Sequence, residues 1–152
     1  MGRLAVLVGV ALALAACAPS EATGISAAAP FTYQAPVDAT IERLAVVITV
    51  AHRTEDDLLV DPALFALRDR EGRLYSANVP AAAADARLVR QAGTSLGLAG
   101  LLPLPALTLR KDDSLTGFIV FDVPLHTRPV ELIFRQTDTD QVVPLPEPPL
   151  QR

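Results

Sequence analysis

Two stretches of this chain alternate with a period of two residues, and that period decides the fold class. Leu44, Val46, Ile48 and Val50 alternate with Ala45, Val47, Thr49 and Ala51. Both sets are apolar or small and several members are β-branched, which suits a strand buried on both faces. The second stretch, Gly117-Phe118-Ile119-Val120-Phe121-Asp122-Val123-Pro124, is the strongest strand in the chain and sets Ile119, Phe121 and Val123 on one face. Shorter strands are expected at Leu107-Thr108-Leu109-Arg110 and at Val130-Glu131-Leu132-Ile133-Phe134-Arg135. Ala63-Leu64-Phe65-Ala66-Leu67-Arg68 runs through Asp69-Arg70-Glu71-Gly72 into Arg73-Leu74-Tyr75-Ser76. A turn that opens on an acidic residue and closes on Gly makes that stretch a hairpin. Many short strands with frequent turn signals predict an all-β protein, a two-sheet antiparallel β-sandwich.

One segment breaks the period. Residues 80–92 are rich in Ala, Leu and Arg, good helix formers, with Pro80 suited to a first helical turn and Gly93 to a stop. A short helical or irregular insert is expected there, crossing between sheets. The Gly- and Leu-rich residues 93–105 have no clear period and read as irregular chain over one end of the core. Leu98, Leu101, Leu102, Leu104 and Leu107 either cap that core or form an exposed apolar patch fit for a partner or a lipid.

The beginning of the chain concerns address rather than fold. Arg3 precedes the apolar run Leu4 to Leu14, and Ala15-Ala16-Cys17 follows. A cationic start, a short apolar stretch and small residues at a cleavage point make a secretory signal. The run is too short for a transmembrane helix, which needs about 20 residues. Leu14-Ala15-Ala16-Cys17 also resembles the lipobox of bacterial lipoprotein signal peptides. That resemblance implies cleavage between Ala16 and Cys17 and a diacylglyceryl group on the Cys17 sulfur. The other reading is an ordinary signal whose Ala16-Cys17-Ala18 is an Ala-x-Ala cleavage site. Two acyl chains hold a protein stably on a membrane where one does so only marginally. Residue Ala18, not Asp, follows the expected anchor, which in lipoproteins of this kind implies the outer membrane where a cell has two.

Removing residues 1–16 from the 152 leaves 136, enough for one domain. Arg3 is the only charge lost, so 12 basic residues face 17 acidic ones and the net charge becomes −5. Such a surface has no electrostatic reason to bind nucleic acid. With Cys17 consumed and Met1 removed, no sulfur ligand remains for a disulfide, a thiolate nucleophile, a Cys-zinc site or soft copper. The domain reading is a leader at 1–16, the lipidated Cys with a flexible tether at 17–39, the sandwich at 40–137 and a Pro-rich tail at 138–152. The tether is low in periodic apolar content, and Pro144, Pro146, Pro148 and Pro149 make the tail an end expected not to fold.

Three stretches carry a wider resemblance. They are Phe65 to Tyr75 around Asp69-Arg70-Glu71-Gly72, Leu115 to Pro124 around Gly117-Phe118-Ile119-Val120-Phe121-Asp122, and Val130-Glu131-Leu132. Together the chain resembles bacterial extracytoplasmic immunoglobulin-like lipoproteins and small secreted antigens of unassigned function. Lys111-Asp112-Asp113-Ser114 departs from that pattern where a Pro-Gly turn is common, and the insert at 80–105 is long. The resemblance implies an immunoglobulin-like antiparallel β-sandwich over residues 40–137 and an extracytoplasmic location, and it brings no catalytic residues.

No residue pattern signals catalysis. His52 and His126 are the only histidines, and nothing in their spacing joins them to Asp122 or Glu55 as metal ligands. They are expected to be solvated loop or strand-end residues. Ser76, Ser95 and Ser114 lie outside any Gly-x-Ser-x-Gly turn. The acidic groups Glu55-Asp56-Asp57, Asp112-Asp113 and Asp138/Asp140 suit turns, and loops of that kind can also gather around calcium. The sequence therefore points to a non-enzymatic envelope lipoprotein without cofactor or metal, with Cys17 as its lipidation site. It would sit on the membrane through that lipid and bind another envelope protein. The alternatives are a passive structural or antigenic surface protein and an envelope enzyme with a cryptic site.

Overall fold

The structure is a computed structural model and describes residues 23–34, 37–97 and 100–147. Cys17, the leader, Leu98, Pro148 and Pro149 lie outside the described residues. In chain order the strands are β1 (Gly24–Ala27), β2 (Phe31–Gln34), β3 (Ile41–Ala51), β4 (Leu58–Val60), β5 (Phe65–Asp69) and β6 (Leu74–Ser76), followed by helices α1 (Val79–Ala84) and α2 (Ala86–Thr94), then β7 (Leu107–Leu109), β8 (Ser114–Pro124), β9 (Pro129–Arg135) and β10 (Asp140–Pro144).

The two stretches of strict alternation become the longest strands, and they pair with each other. Antiparallel β3 and β8 run in register from Ile41 opposite Pro124 to Ala51 opposite Ser114. β1 and β2 share the other edge of β3, and together these strands form the first sheet. The second sheet has the order β10-β9-β5-β6, and β4 with β7 makes a small two-stranded piece. Leu44, Val46, Ile48 and Val50 of β3 join Ile119, Phe121 and Val123 of β8 against Phe65 and Leu67 of β5 and Leu132 and Phe134 of β9. Phe65 and Phe134 are cross-strand partners, and their rings stack with centroids 4.7 Å apart. The chain is an antiparallel β-sandwich.

The opposite face of the first sheet is apolar because it too is covered. Ala45, Val47, Phe118 and Val120 pack under Ala81, Ala82 and Val89 of the helices. The insert expected at 80–92 is helical, and Asn78 caps α1 by accepting from the Ala81 N–H at 3.1 Å. Its return segment does more than cover an end of the core. Pro103 bridges to Phe118 in parallel, with Leu104 N–H donating to Phe118 O and Phe118 N–H to Leu102 O. On the same edge Ala77 pairs with Phe121. The insert thus closes the edge of β8 that β3 leaves open, removing an unpaired strand edge.

Both expected flexible ends need correction. Residues 24–27 and 31–34, assigned to a tether, are paired strands. The register sum shifts between them: Ile25 lies opposite Val50, but Phe31 lies opposite Ala45. A one-residue slip turns side chains to the other face. Ile25 and Ala27 therefore meet the sandwich core, while Phe31 and Tyr33 meet the helix layer. No single period runs through such a segment, and an edge strand tolerates Pro30. The tail is corrected likewise. Asp140 to Pro144 pair with β9, and Val143 and Leu145 enter the core. The Leu145 N–H donates to Val130 O at 2.9 Å, so Pro144 and Pro146 flank a paired position on an edge.

Candidate functional site

An apolar groove lies between α1 and the returning segment. Val79, Ala82 and Ala83 form one wall, and Leu102, Pro103 and Pro105 the other. Phe118 and Ile119 of β8 also line it, the cavity is about 460 Å³, and the 3-10 turn that starts at Pro62 borders it. Leu102 is 64% exposed and Val79 39% exposed, so the rim presents large apolar side chains to solvent. Such a concentration marks an interaction surface more often than single exposed leucines do.

The wall at Leu102–Leu104 depends on Gly117. A Cβ there would lie 2.8 Å from Leu104 Cα and 3.0 Å from Leu102 O. Only glycine lets the segment come this close to β8. The Leu-rich segment divides between the two expected roles: Leu104 is buried in the core and Leu101 packs under the helix layer, while Leu102 and Leu107 are exposed.

A polar network fastens the helical wall to the sheet. Arg43 and Asp122 face each other across β3 and β8, and Arg43 Nε donates to Asp122 Oδ1 at 2.9 Å. Arg43 Nη1 reaches Asp85 Oδ2, between the helices, at 2.9 Å. Tyr33 Oη donates to the same Asp85 oxygen at 2.8 Å, and Asn78 Nδ2 donates to Asp122 Oδ2 at 2.8 Å. The Asp122 hydrogen bond, with the Asp85 bond after it, holds the Arg43 guanidinium more firmly protonated than usual. Burial, then the bond to Asp85, pushes the Tyr33 hydroxyl well above its ordinary value. Asp122, a candidate ligand by sequence, is thus committed to structure, and no group of metal-ligating side chains occurs among the described residues.

A second network was not legible as one. Asp69 is 2% exposed and accepts from the N–H groups of Glu71 and Arg73, from Arg73 Nε and from Tyr75 Oη. Burial acts to raise its carboxyl, but these donors and the Arg73 charge outweigh it and hold Asp69 below the usual carboxylate value. The spacing Asp69-x-x-Gly72 signalled the turn. Nothing in it signalled that Tyr75 would fold back onto the acid.

The two histidines stand at opposite ends of the sandwich, His52 just after β3 and His126 just after β8. His126 is exposed, but His52 is buried, which corrects the expectation that both are solvated. Its Nε2 donates to Asp56 O and its Nδ1 meets Thr23 Oγ1 at 2.9 Å, so its role is to hold the chain where β1 begins. Ser76 lies on β6, Ser114 opens β8 and Ser95 follows the end of α2. The acidic turns hold themselves together: Asp113 Oδ2 accepts from the Arg110 N–H, and Glu55 pairs with Lys111.

No protein-family model matches the chain, and no curated protein sequence matches it. Solved structures do. One is MPT63, a secreted protein from Mycobacterium tuberculosis, with a TM-score of 0.54 and 15% identity, covering 80% of this chain and 82% of that one. Another is a putative lipoprotein, ycdA, from Bacillus subtilis, with a TM-score of 0.50 and 17% identity, covering 82% of this chain and 37% of that one. At these identities the likeness is one of fold, and it agrees with the β-sandwich described above.

Proposed function

We propose that the chain is an extracytoplasmic lipoprotein, anchored through Cys17, that works by binding rather than catalysis. The occupant proposed for the groove between α1 and Leu102–Pro105 is an extended apolar segment of another envelope protein. The observation that carries this reading is the rim of that groove, where Leu102 and Val79 stand exposed around small walls of Ala82, Ala83 and Pro103. Small residues leave room for a partner's side chains, and apolar rims gain from being covered. The leader ending at Cys17 supports the address, as do fold neighbours that are a secreted protein and a putative lipoprotein. Ala18 after the anchor supports the outer membrane in a cell with two membranes.

A photo-reactive residue at position 102, in the full chain in its own cells, tests the binding reading. A discrete adduct to one envelope protein is expected, and Ala83→Arg should abolish it while melting stays unchanged. Adducts indifferent to Ala83→Arg, or none at all, would favour a passive surface protein.

A further inference from the structure

The charged counterpart of the groove lies elsewhere, at one end of the sandwich. β3 and β8 pair over eleven positions each, a length of about 35 Å at about 3.3 Å per residue. Thr23 lies where Gly24 meets Ala51, held there by His52 and by Gln141 Nε2 donating to its carbonyl at 3.1 Å. The hairpin of residues 69–73 and the loop of residues 124–128 lie at the opposite end, where Ile41 meets Pro124 and Asp69 meets Pro129. Between hairpin and loop is a polar cleft of about 450 Å³. Arg70, Arg73, His126, Thr127 and Arg128 line it, with Glu71 as its only acidic lining residue. Three arginines line it on a chain whose net charge is −4.

The cleft is a built feature. Asp69 fixes the hairpin wall and orients Arg73 through Nε at 2.8 Å, leaving the outer edge of that guanidinium turned to Glu71 at 3.5 Å. The loop wall is closed by Thr127 Oγ1 and N–H donating to Pro124 O, and by Leu125 N–H donating to Thr40 O. His126 takes a φ of 66°, a conformation that costs a non-glycine residue energy. Tyr75 braces the hairpin wall, donating to Asp69 Oδ2 at 2.8 Å. Arg70 has only a long contact to Glu147, at 3.9 Å between exposed side chains, and Arg128 has no ion pair among the described residues.

We infer that this cleft binds a phosphate-bearing ligand through Arg70, Arg73 and Arg128. Guanidinium forks pair with phosphate oxygens in bidentate fashion, and several around one cleft suit a multiply charged oxyanion. The cleft faces away from the end where the chain enters at Thr23. Resting on the Cys17 anchor proposed above, this assigns the phosphate to a solute or an envelope polymer and not to the lipids of the anchoring membrane. The inference does not rest on the groove.

Inorganic phosphate titrated into the full chain, with backbone amides followed by NMR, is the direct test. Saturable shifts are expected at residues 70–73 and 125–128, absent with chloride at equal ionic strength. Arg70→Gln with Arg128→Gln should weaken binding by about tenfold or more while melting is unchanged. Shifts that do not saturate, that chloride reproduces, or that survive the double substitution would overturn the site. In a second arm, Cys17→Ser protein is mixed with vesicles of anionic or zwitterionic phospholipid. Neither should sediment the protein, and anionic-vesicle binding that Arg128→Gln abolishes would overturn the assignment to a non-lipid phosphate.

Discussion

Gly117 and Leu104 touch backbone to backbone: a Cβ on Gly117 would sit 2.8 Å from the Cα of Leu104. That contact seals the free edge of β8 and builds a wall of the apolar groove. Gly117→Ala is expected to push the 102–104 segment off the strand, with a cost in the range typical of overpacking, about 1–3 kcal/mol. Hydrogen exchange at Phe118 and Leu104 checks it, because those amides should lose protection before the β3–β8 pairs do. Unchanged protection there would mean the segment does not depend on glycine.

Phe121 lies fully buried between the sheets and faces Leu44 across the β3–β8 ladder. Phe121→Ala should cost about 3–5 kcal/mol, a large share of a small domain's stability. His126→Ala, at an exposed turn, should leave the denaturation midpoint nearly unchanged. Urea denaturation of the two variants separates the cases, and equal midpoints would contradict the packing described.

Asp69 sets an acid limit on stability. Its folded-state carboxyl lies below the ordinary value of 3.8, so its contribution is complete above that value and is lost as pH falls through the lowered one. Asp38, held down by hydrogen bonds from Thr40, acts in the same direction. Melting followed from about pH 6 to about pH 2 should fall steeply only below about pH 4. Asp69→Asn should make that fall shallower while lowering stability near neutrality. An identical acid slope in wild type and Asp69→Asn would refute the linkage.

The core of this fold was legible because its strands are regular. Leu44 to Val50 and Gly117 to Val123 carry the period of two on both faces, and both faces proved buried. The ends were not legible, for two physical reasons. Ile25 and Phe31 belong to one edge but to opposite faces, since the register slips by one between them. Val143 and Leu145 pair between prolines, which an edge strand allows and composition disguises. The helical insert was visible in its Ala and Arg content. Its role was not, because the groove arises from Gly117 meeting a segment fifteen or so residues away in sequence, a long-range contact with no local signature. Arg43, Asp85 and Asn78 were likewise invisible until β3 and α1 came together around Asp122.

Lipidation at Cys17 is the central proposal, and fatty-acid labelling with intact-mass analysis measures it most directly. The account predicts a mature chain that begins at Cys17, carries the mass of acyl chains and fractionates with membrane, and a Cys17→Ser variant that is unlabelled and released or left unprocessed. A wild-type chain that begins at another residue and carries no lipid would contradict it.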